Sequence, residues 1–238
     1  MKLLILLSLI FISLTSWNGK EQKTIKASGR VITEQRSVTA FSGIAVSQGI
    51  NLYVTPGENY SITVKTDDNI LPYLKTEVEE NTLRVHFPEN VQIKNAQSLE
   101  VQVTLPQVKK LSVTTGAMLK STQLLKCTNI DLKATTSGVM TLDLEAVTVK
   151  TSITTSGDIY LKGKAEKIDV QMSTSGNLNA ADFPVKFANI KGTTGAKATI
   201  EVSELLEYYM STGSDLMYRG NPTIKSQKLT SGGQATRK

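Results

Sequence analysis

Thr154-Thr155-Ser156-Gly157 and Ser173-Thr174-Ser175-Gly176 start 19 residues apart, and five variants of the same tetrapeptide flank them. Thr114-Thr115-Gly116-Ala117 and Thr135-Thr136-Ser137-Gly138 precede them. Thr193-Thr194-Gly195-Ala196, Ser211-Thr212-Gly213-Ser214 and Thr230-Ser231-Gly232-Gly233 follow. Successive starts differ by 21, 19, 19, 20, 18 and 19 residues. The flanks repeat as well. Immediately before each tetrapeptide stand Val113, Ala134, Ile153, Met172, Gly192, Met210 and Leu229. Two residues earlier come Leu111, Leu132, Thr151, Val170, Ile190, Tyr208 and Gln227. Two residues after come Leu119, Met140, Ile159, Leu178, Ala198, Leu216 and Ala235.

Each unit therefore reads as strand, small-residue corner, strand. One such unit cannot bury its apolar side alone, whereas stacked units pile equivalent residues into columns on rungs ~4.8 Å apart. Six intervals at that spacing give a column on the order of 30 Å long. The expected fold is all-β: a parallel β-helix or β-solenoid with rungs of about 19 residues, right-handed because parallel crossovers almost always are. A corner requires residues that accept sharp bends and positive φ, which accounts for the Gly/Ala/Ser slot. Paired Thr and Ser hydroxyls suit a corner because they satisfy backbone groups and ladder between rungs. Gln227 and Arg237 occupy core positions of the last unit, which marks it as a frayed or capping rung.

Upstream of the repeat the pattern is also strand-like. Ile44, Val46, Ile50, Leu52 and Val54 are followed by Ile62 and Val64, then Leu83, Val85 and Phe87, then Leu99, Val101, Val103 and Leu105. This alternation has a period of two. Pro56-Gly57-Glu58-Asn59 is a turn, and residues 67–74 break the alternation as a helical turn. The division expected is residues 1–17 as a signal peptide, 18–36 as a polar lead-in, 37–107 as an N-terminal β-rich part that packs on or continues the solenoid, and 108–238 as the repeat solenoid.

Met1-Lys2 followed by the apolar run Leu3–Ile12 is too short to span a bilayer, which takes ~20 residues, and matches an export signal. The expected location is periplasmic, cell-surface or extracellular, with no transmembrane span in the mature chain. The chain's single Cys, Cys127, lies far from that run, which argues against a lipoprotein anchor and for a small buried hydrophobe. The 238 residues suffice for one large all-β domain or two small ones. The net charge is 27 − 21 = +6 and the mean hydropathy −0.12. One His and one Cys argue against a His-ligated zinc centre, a four-cysteine metal site, a disulfide framework and a Ser-His-Asp triad.

The segment Phe41-Ser42-Gly43-Ile44-Ala45-Val46-Ser47-Gln48-Gly49-Ile50-Asn51-Leu52-Tyr53-Val54 resembles the opening of the bacterial head GIN domain family, exported adhesin-like proteins. Gly49-Ile50-Asn51 matches the triplet that names it. Asp68-Asn69-Ile70-Leu71, Asn81-Thr82-Leu83-Arg84-Val85 and the Thr-Ser-Gly repeats extend the resemblance over roughly residues 30–235. It implies a β-solenoid and an exported location, and it supplies no catalytic residues.

The candidate residues for chemistry are few. Asp131, Asp143, Glu145, Asp158, Asp169 and Asp215 are carboxylates that a β-helix enzyme would need to cluster. Stacking aligns Asp158 with Asn177, a ladder for a cation or sugar, although a solvated corner is the plainer reading. His86, between Val85 and Phe87, points away from both and reads as a surface strand residue. Tyr208, Tyr209 and Tyr218 suggest a sugar platform, yet Tyr208 and Tyr218 fall in core columns. Lys109-Lys110, Lys162, Lys164, Lys225 and Lys228 are scattered without interleaved aromatics, which argues against nucleic acid. The sequence therefore assigns no catalytic, cofactor-binding or metal residues and no cofactor. The reading is a non-catalytic module that binds glycan or a surface protein, with self-association left open. The alternatives are a carbohydrate-active lyase or hydrolase and, more remotely, an ice-type surface of stacked Thr.

Overall fold

The computed structural model describes residues 21–238, so the expected export signal lies outside the described residues. The described chain is a β-solenoid whose rungs repeat about every 19 residues.

All three apolar columns read from the repeat are in register. Leu111, Leu132, Thr151, Val170, Ile190, Tyr208 and Gln227 pair in succession through parallel ladders. Val113, Ala134, Ile153, Met172, Gly192, Met210 and Leu229 do the same. So do Leu119, Met140, Ile159, Leu178, Ala198, Leu216 and Ala235. Leu111, Ile153, Ile159, Leu178 and Met210 are fully buried.

The tetrapeptides stack as successive corners. In each, the fourth residue's N–H donates to the first residue's carbonyl, at 3.0 Å for Gly138 to Thr135 and 3.0 Å for Gly157 to Thr154. The second and third residues are left-handed, with φ of 51° at Thr155 and 57° at Ser156. Two left-handed residues closed by that bond are the arrangement of a type I′ turn. Each corner is also bonded to the next, as in Ser137 N–H to the Thr155 carbonyl at 3.1 Å and Ser156 N–H to the Thr174 carbonyl at 2.9 Å.

This corrects the reason given for the Gly/Ala/Ser slot. Positive φ falls on the second and third residues, whereas the fourth is small because the preceding rung presses on it. A Cβ on Gly157 would lie 2.4 Å from the Ala134 carbonyl oxygen, and one on Gly176 2.4 Å from that of Ile153. Where the slot holds Ser214, its hydroxyl instead donates to the Gly192 carbonyl at 2.9 Å.

Between corners, each rung bends once more. Along Val139–Thr154 the buried residues are Met140, Leu142, Leu144 and Ala146, then Val149, Thr151 and Ile153. The phase slips by one residue between Ala146 and Val149, and there the strand turns from one wall to the other. A rung thus has a tight corner at one edge, a broad bend at the other, and two walls between.

The N-terminal strands continue this stack out of chain order. Gly43–Val46 and Asn51–Pro56 form a rung directly against Lys110–Val113 and Met118–Ser121. Residues 57–109 leave that rung and fold against its opposite side. Thr82–His86 pairs with Gly43–Val46, and Leu99–Leu105 with Asn51–Pro56. Antiparallel strands then close the end: Ser61–Asp67 on Leu99–Leu105, Val31–Arg36 on Ser61–Asp67, and Lys75–Glu79 on Thr82–His86. The break at residues 67–74 contains a short 3₁₀ turn, Leu71–Tyr73.

The Gly49-Ile50-Asn51 triplet is consequently an eighth corner. Gln48 and Gly49 take φ of 60° and 71°, like Thr115 and Gly116, and Gly49 N–H donates to the Thr115 carbonyl at 3.1 Å. Ile50 occupies the slot that elsewhere is Gly, Ala or Ser, and it is fully buried. No tight corner presses on it from below, because the underlying chain runs through residues 87–98. At the opposite end, Thr223–Leu229 is largely exposed, as expected of a capping rung.

Candidate functional site

The two walls differ in what they show to solvent. On the wall before each corner, one outward column reads Lys110, Asp131, Lys150, Asp169, Asn189 and Glu207. From Lys110 to Asp169 the charges alternate at successive rungs, so opposite signs are cross-strand neighbours and neutralise one another. Asp131 and Asp169 are two rungs apart with Lys150 between them, and Lys167 approaches Asp169 at 3.1 Å.

The wall after each corner carries a different column: Tyr53, Lys120, Thr141, Tyr160, Asn179, Thr199, Met217 and Thr236. Beside it run Asp158, Asn177, Lys197 and Asp215. The Asn177 amide donates to Asp158 at 3.0 Å, as the stacking predicts, and Asp215 lies two rungs further on. Asp143 faces Lys162 in register, and Glu145 pairs with Lys164 at 3.3 Å. Tyr160 is the exposed aromatic of this wall, at 39% exposure. Its significance escaped the sequence reading, although the repeat fixes its position: it is the third residue after a corner, as Tyr53 is after Ile50.

The remaining candidates are dispersed. His86 is half-buried on the face opposite Val85 and Phe87; Nδ1 lies 3.1 Å from the Phe87 carbonyl and Nε2 3.7 Å from Glu77. Tyr208 is buried in its core column and donates its hydroxyl to Gln227 at 2.8 Å, which gives that polar core residue a partner. Burial pushes the Tyr208 hydroxyl's pKa up. Tyr209 faces outward under the Lys228 ammonium at 5.5 Å, and hydrogen bonds with Ser211 and Thr230 pull its pKa down. Tyr218 is half-buried, so the three tyrosines form no common platform. Among the described residues no group of three or more His, Cys, Asp or Glu is placed to hold a metal.

A groove of about 1070 Å³ runs along the broad bends, a feature the sequence reading missed entirely. Its floor includes Val108, Cys127, Ile130, Ala146 and Ala165, and its rim includes Lys109, Lys126, Lys164 and Lys186 with Asp131, Glu145 and Glu166. The hollow arises in one core column. Cys127, Ala146 and Ala165 stack where Val185 and Val202 fill the later rungs. Burial pushes the Cys127 thiol's pKa up.

The family model described as "Putative auto-transporter adhesin, head GIN domain" matches residues 40–222. The chain belongs to this GIN-domain family. Solved structures share the fold. A protein described as a "putative adhesin" from Bacteroides fragilis NCTC 9343 superposes with a TM-score of 0.79 at 20% identity, over 90% of this chain and 98% of that one. Another from Parabacteroides merdae ATCC 43184 gives 0.73 at 19% identity, over 90% and 99%. A "putative lipid binding protein" from Parabacteroides distasonis ATCC 8503 gives 0.72 at 17%, over 91% and 100%. No protein of curated function matches the chain. Within the GIN-domain frame, the naming triplet is the first corner of the solenoid, and no helix among the described residues is long and apolar enough to cross a membrane.

Proposed function

We propose that this GIN-domain protein is an exported, non-catalytic adhesin-type module that binds glycan at the cell envelope or surface along its post-corner wall. The observation that carries this reading is the outward column from Tyr53 through Lys120 and Thr141 to Tyr160 and Asn179. An aromatic ring offers an apolar face for the C–H side of a sugar, and neighbouring hydroxyl, amide and ammonium groups offer hydrogen bonds. Tyr53 and Tyr160 are three rungs apart, about 14 Å, on a frame of continuous ladders that holds them without loop entropy. The family's adhesin description supports a role in binding. Catalysis is disfavoured by the pairing of the carboxylates. Asp158 is bound by Asn177, and Asp131 and Asp169, about 10 Å apart, enclose Lys150.

Glycan-array binding by the purified mature protein tests this. Tyr160→Ala and Asn179→Ala are each expected to lower binding about tenfold without changing the melting temperature. Unchanged binding in both variants, binding confined to protein ligands, or cleavage of a polysaccharide would overturn the reading.

A further inference from the structure

The groove along the broad bends has no part in the binding wall just described. Its volume of about 1070 Å³ matches the upper range of small-molecule sites, about 300–1,000 Å³. No aromatic residue lines it, so it lacks a stacking surface for a sugar ring or a base. Val108, Ile130, Ala146 and Ala165 make an aliphatic strip beside Cys127. Gln107, Thr128 and Asn129 add polar groups to the lining, and Val147 in the lining is 43% exposed. Phe187, next in the chain to Lys186 of the rim and in register with Lys167 at the bend, is 39% exposed. Val147 and Phe187 extend the aliphatic strip to the groove's edge, and apolar surface continuous with a concavity suits an apolar ligand.

The charges are unevenly compensated. Lys164 is paired with Glu145 at 3.3 Å. Lys186 lies in register with Glu166, between the paired positions Ala165–Val185 and Lys167–Phe187. Asp131 sits in its ladder between Lys110 and Lys150. Lys126 lies in register with Glu145, but that carboxylate is taken up by Lys164. Neither Lys126 nor Lys109 has a carboxylate within salt-bridge distance among the described residues, and both stand at the end of the groove nearest the N-terminal layers. Their aliphatic stems can line the apolar floor while the ammonium groups reach an anion at its mouth.

We propose that this groove binds a single-chain anionic amphiphile, a long-chain carboxylate whose head lies between Lys109 and Lys126 and whose chain runs over Ala146 and Ala165. The floor excludes water from the chain, and the two lysines select the charged head over a neutral one.

Cys127 reports occupancy directly, because it lies in the floor and is the chain's single thiol. Its rate of modification by 5,5′-dithiobis(2-nitrobenzoate) at pH 8 is followed with and without monomeric palmitate. At about four times Kd, palmitate leaves about one fifth of the sites free, so the rate falls about fivefold. Butyrate and hexadecanol leave it unchanged. Titration with cis-parinaric acid gives the same affinity order by fluorescence, independently of the thiol. Lys109→Glu with Lys126→Glu weakens binding tenfold or more (an order-of-magnitude expectation for lost charge pairing). Ala165→Leu, which fills the floor, abolishes it, with folding confirmed by circular dichroism. Absence of binding in both assays, equal protection by hexadecanol, or protection only by phosphatidylglycerol vesicles would overturn the proposal.

Discussion

At each of the seven tetrapeptide corners, a β-branched or hydroxyl residue adopts a conformation that ordinarily belongs to glycine or asparagine. Thr115, Thr136, Thr155, Thr174, Thr194 and Thr212 have φ between 49° and 53°. A left-handed β-branched residue is strained by roughly 1–2 kcal/mol. The strain persists because every corner is bonded within itself and to its neighbour. Thr155→Asn is therefore expected to raise stability by about 0.5–1 kcal/mol, since asparagine tolerates this region. Gly157→Ala should do the reverse. Its φ is not left-handed, but the new Cβ would meet the Ala134 carbonyl oxygen at 2.4 Å, and overpacking against backbone costs about 1–3 kcal/mol. Urea denaturation of the two variants measures both; a Gly157→Ala protein as stable as the parent would refute the close-approach account.

The strand Val31–Arg36 is an edge element, mostly exposed, and gains little from burial. It is held instead through the turn that precedes it. Asp68 accepts hydrogen bonds from the Ser28 hydroxyl at 2.5 Å and from Arg30 Nε at 2.7 Å, while Asp67 accepts from Gly29 N–H at 2.7 Å and Gln97 N–H at 2.9 Å. The Ser28 hydrogen bond, then the Arg30 interaction, holds the Asp68 carboxyl below its ordinary value of 3.8. A depressed folded pKa means that the contribution is present above the ordinary value and is lost as pH falls through the folded one. The exposed setting keeps the effect on stability small. An NMR titration is expected to place the Asp68 midpoint below 3.8, and Ser28→Ala should move it up towards that value. A midpoint unchanged by Ser28→Ala would remove the hydroxyl from the explanation.

Over the whole molecule, stability depends on columns that no single rung completes. Met172 is 3% exposed and stands between Ile153 and Gly192 in the ladder. Gly192 itself is accommodated by its neighbour: a Cβ there would lie 2.6 Å from the Met210 side-chain terminus, so Met210 fills the space that Gly192 leaves. Met172→Asp places an unpaired charge in this column, at a cost of several kcal/mol or more. Because each rung relies on both neighbours, the loss should spread to the stack rather than remain local. Cooperative folding is expected to be lost by circular dichroism and thermal melting; a near-normal melting temperature would show that the column is not continuous.

The amino-acid sequence alone determined the solenoid, its rung length and the membership of three core columns. In a parallel in-register stack, equivalent residues meet only their own repeats, so spacing in sequence becomes position in space. For the same reason the Asp158–Asn177 contact and the exposed last rung were legible. The tertiary structure decided what depends on approach between rungs or on chain that leaves the repeat. It moved the reason for the small corner residue from backbone conformation to pressure from the preceding rung. It revealed Gly49-Ile50-Asn51 as a corner, hidden in sequence because residues 57–109 are inserted between two rungs that touch. It also formed the groove at the broad bends, where the alternation slips by one residue and no period tells which side chains will turn inward.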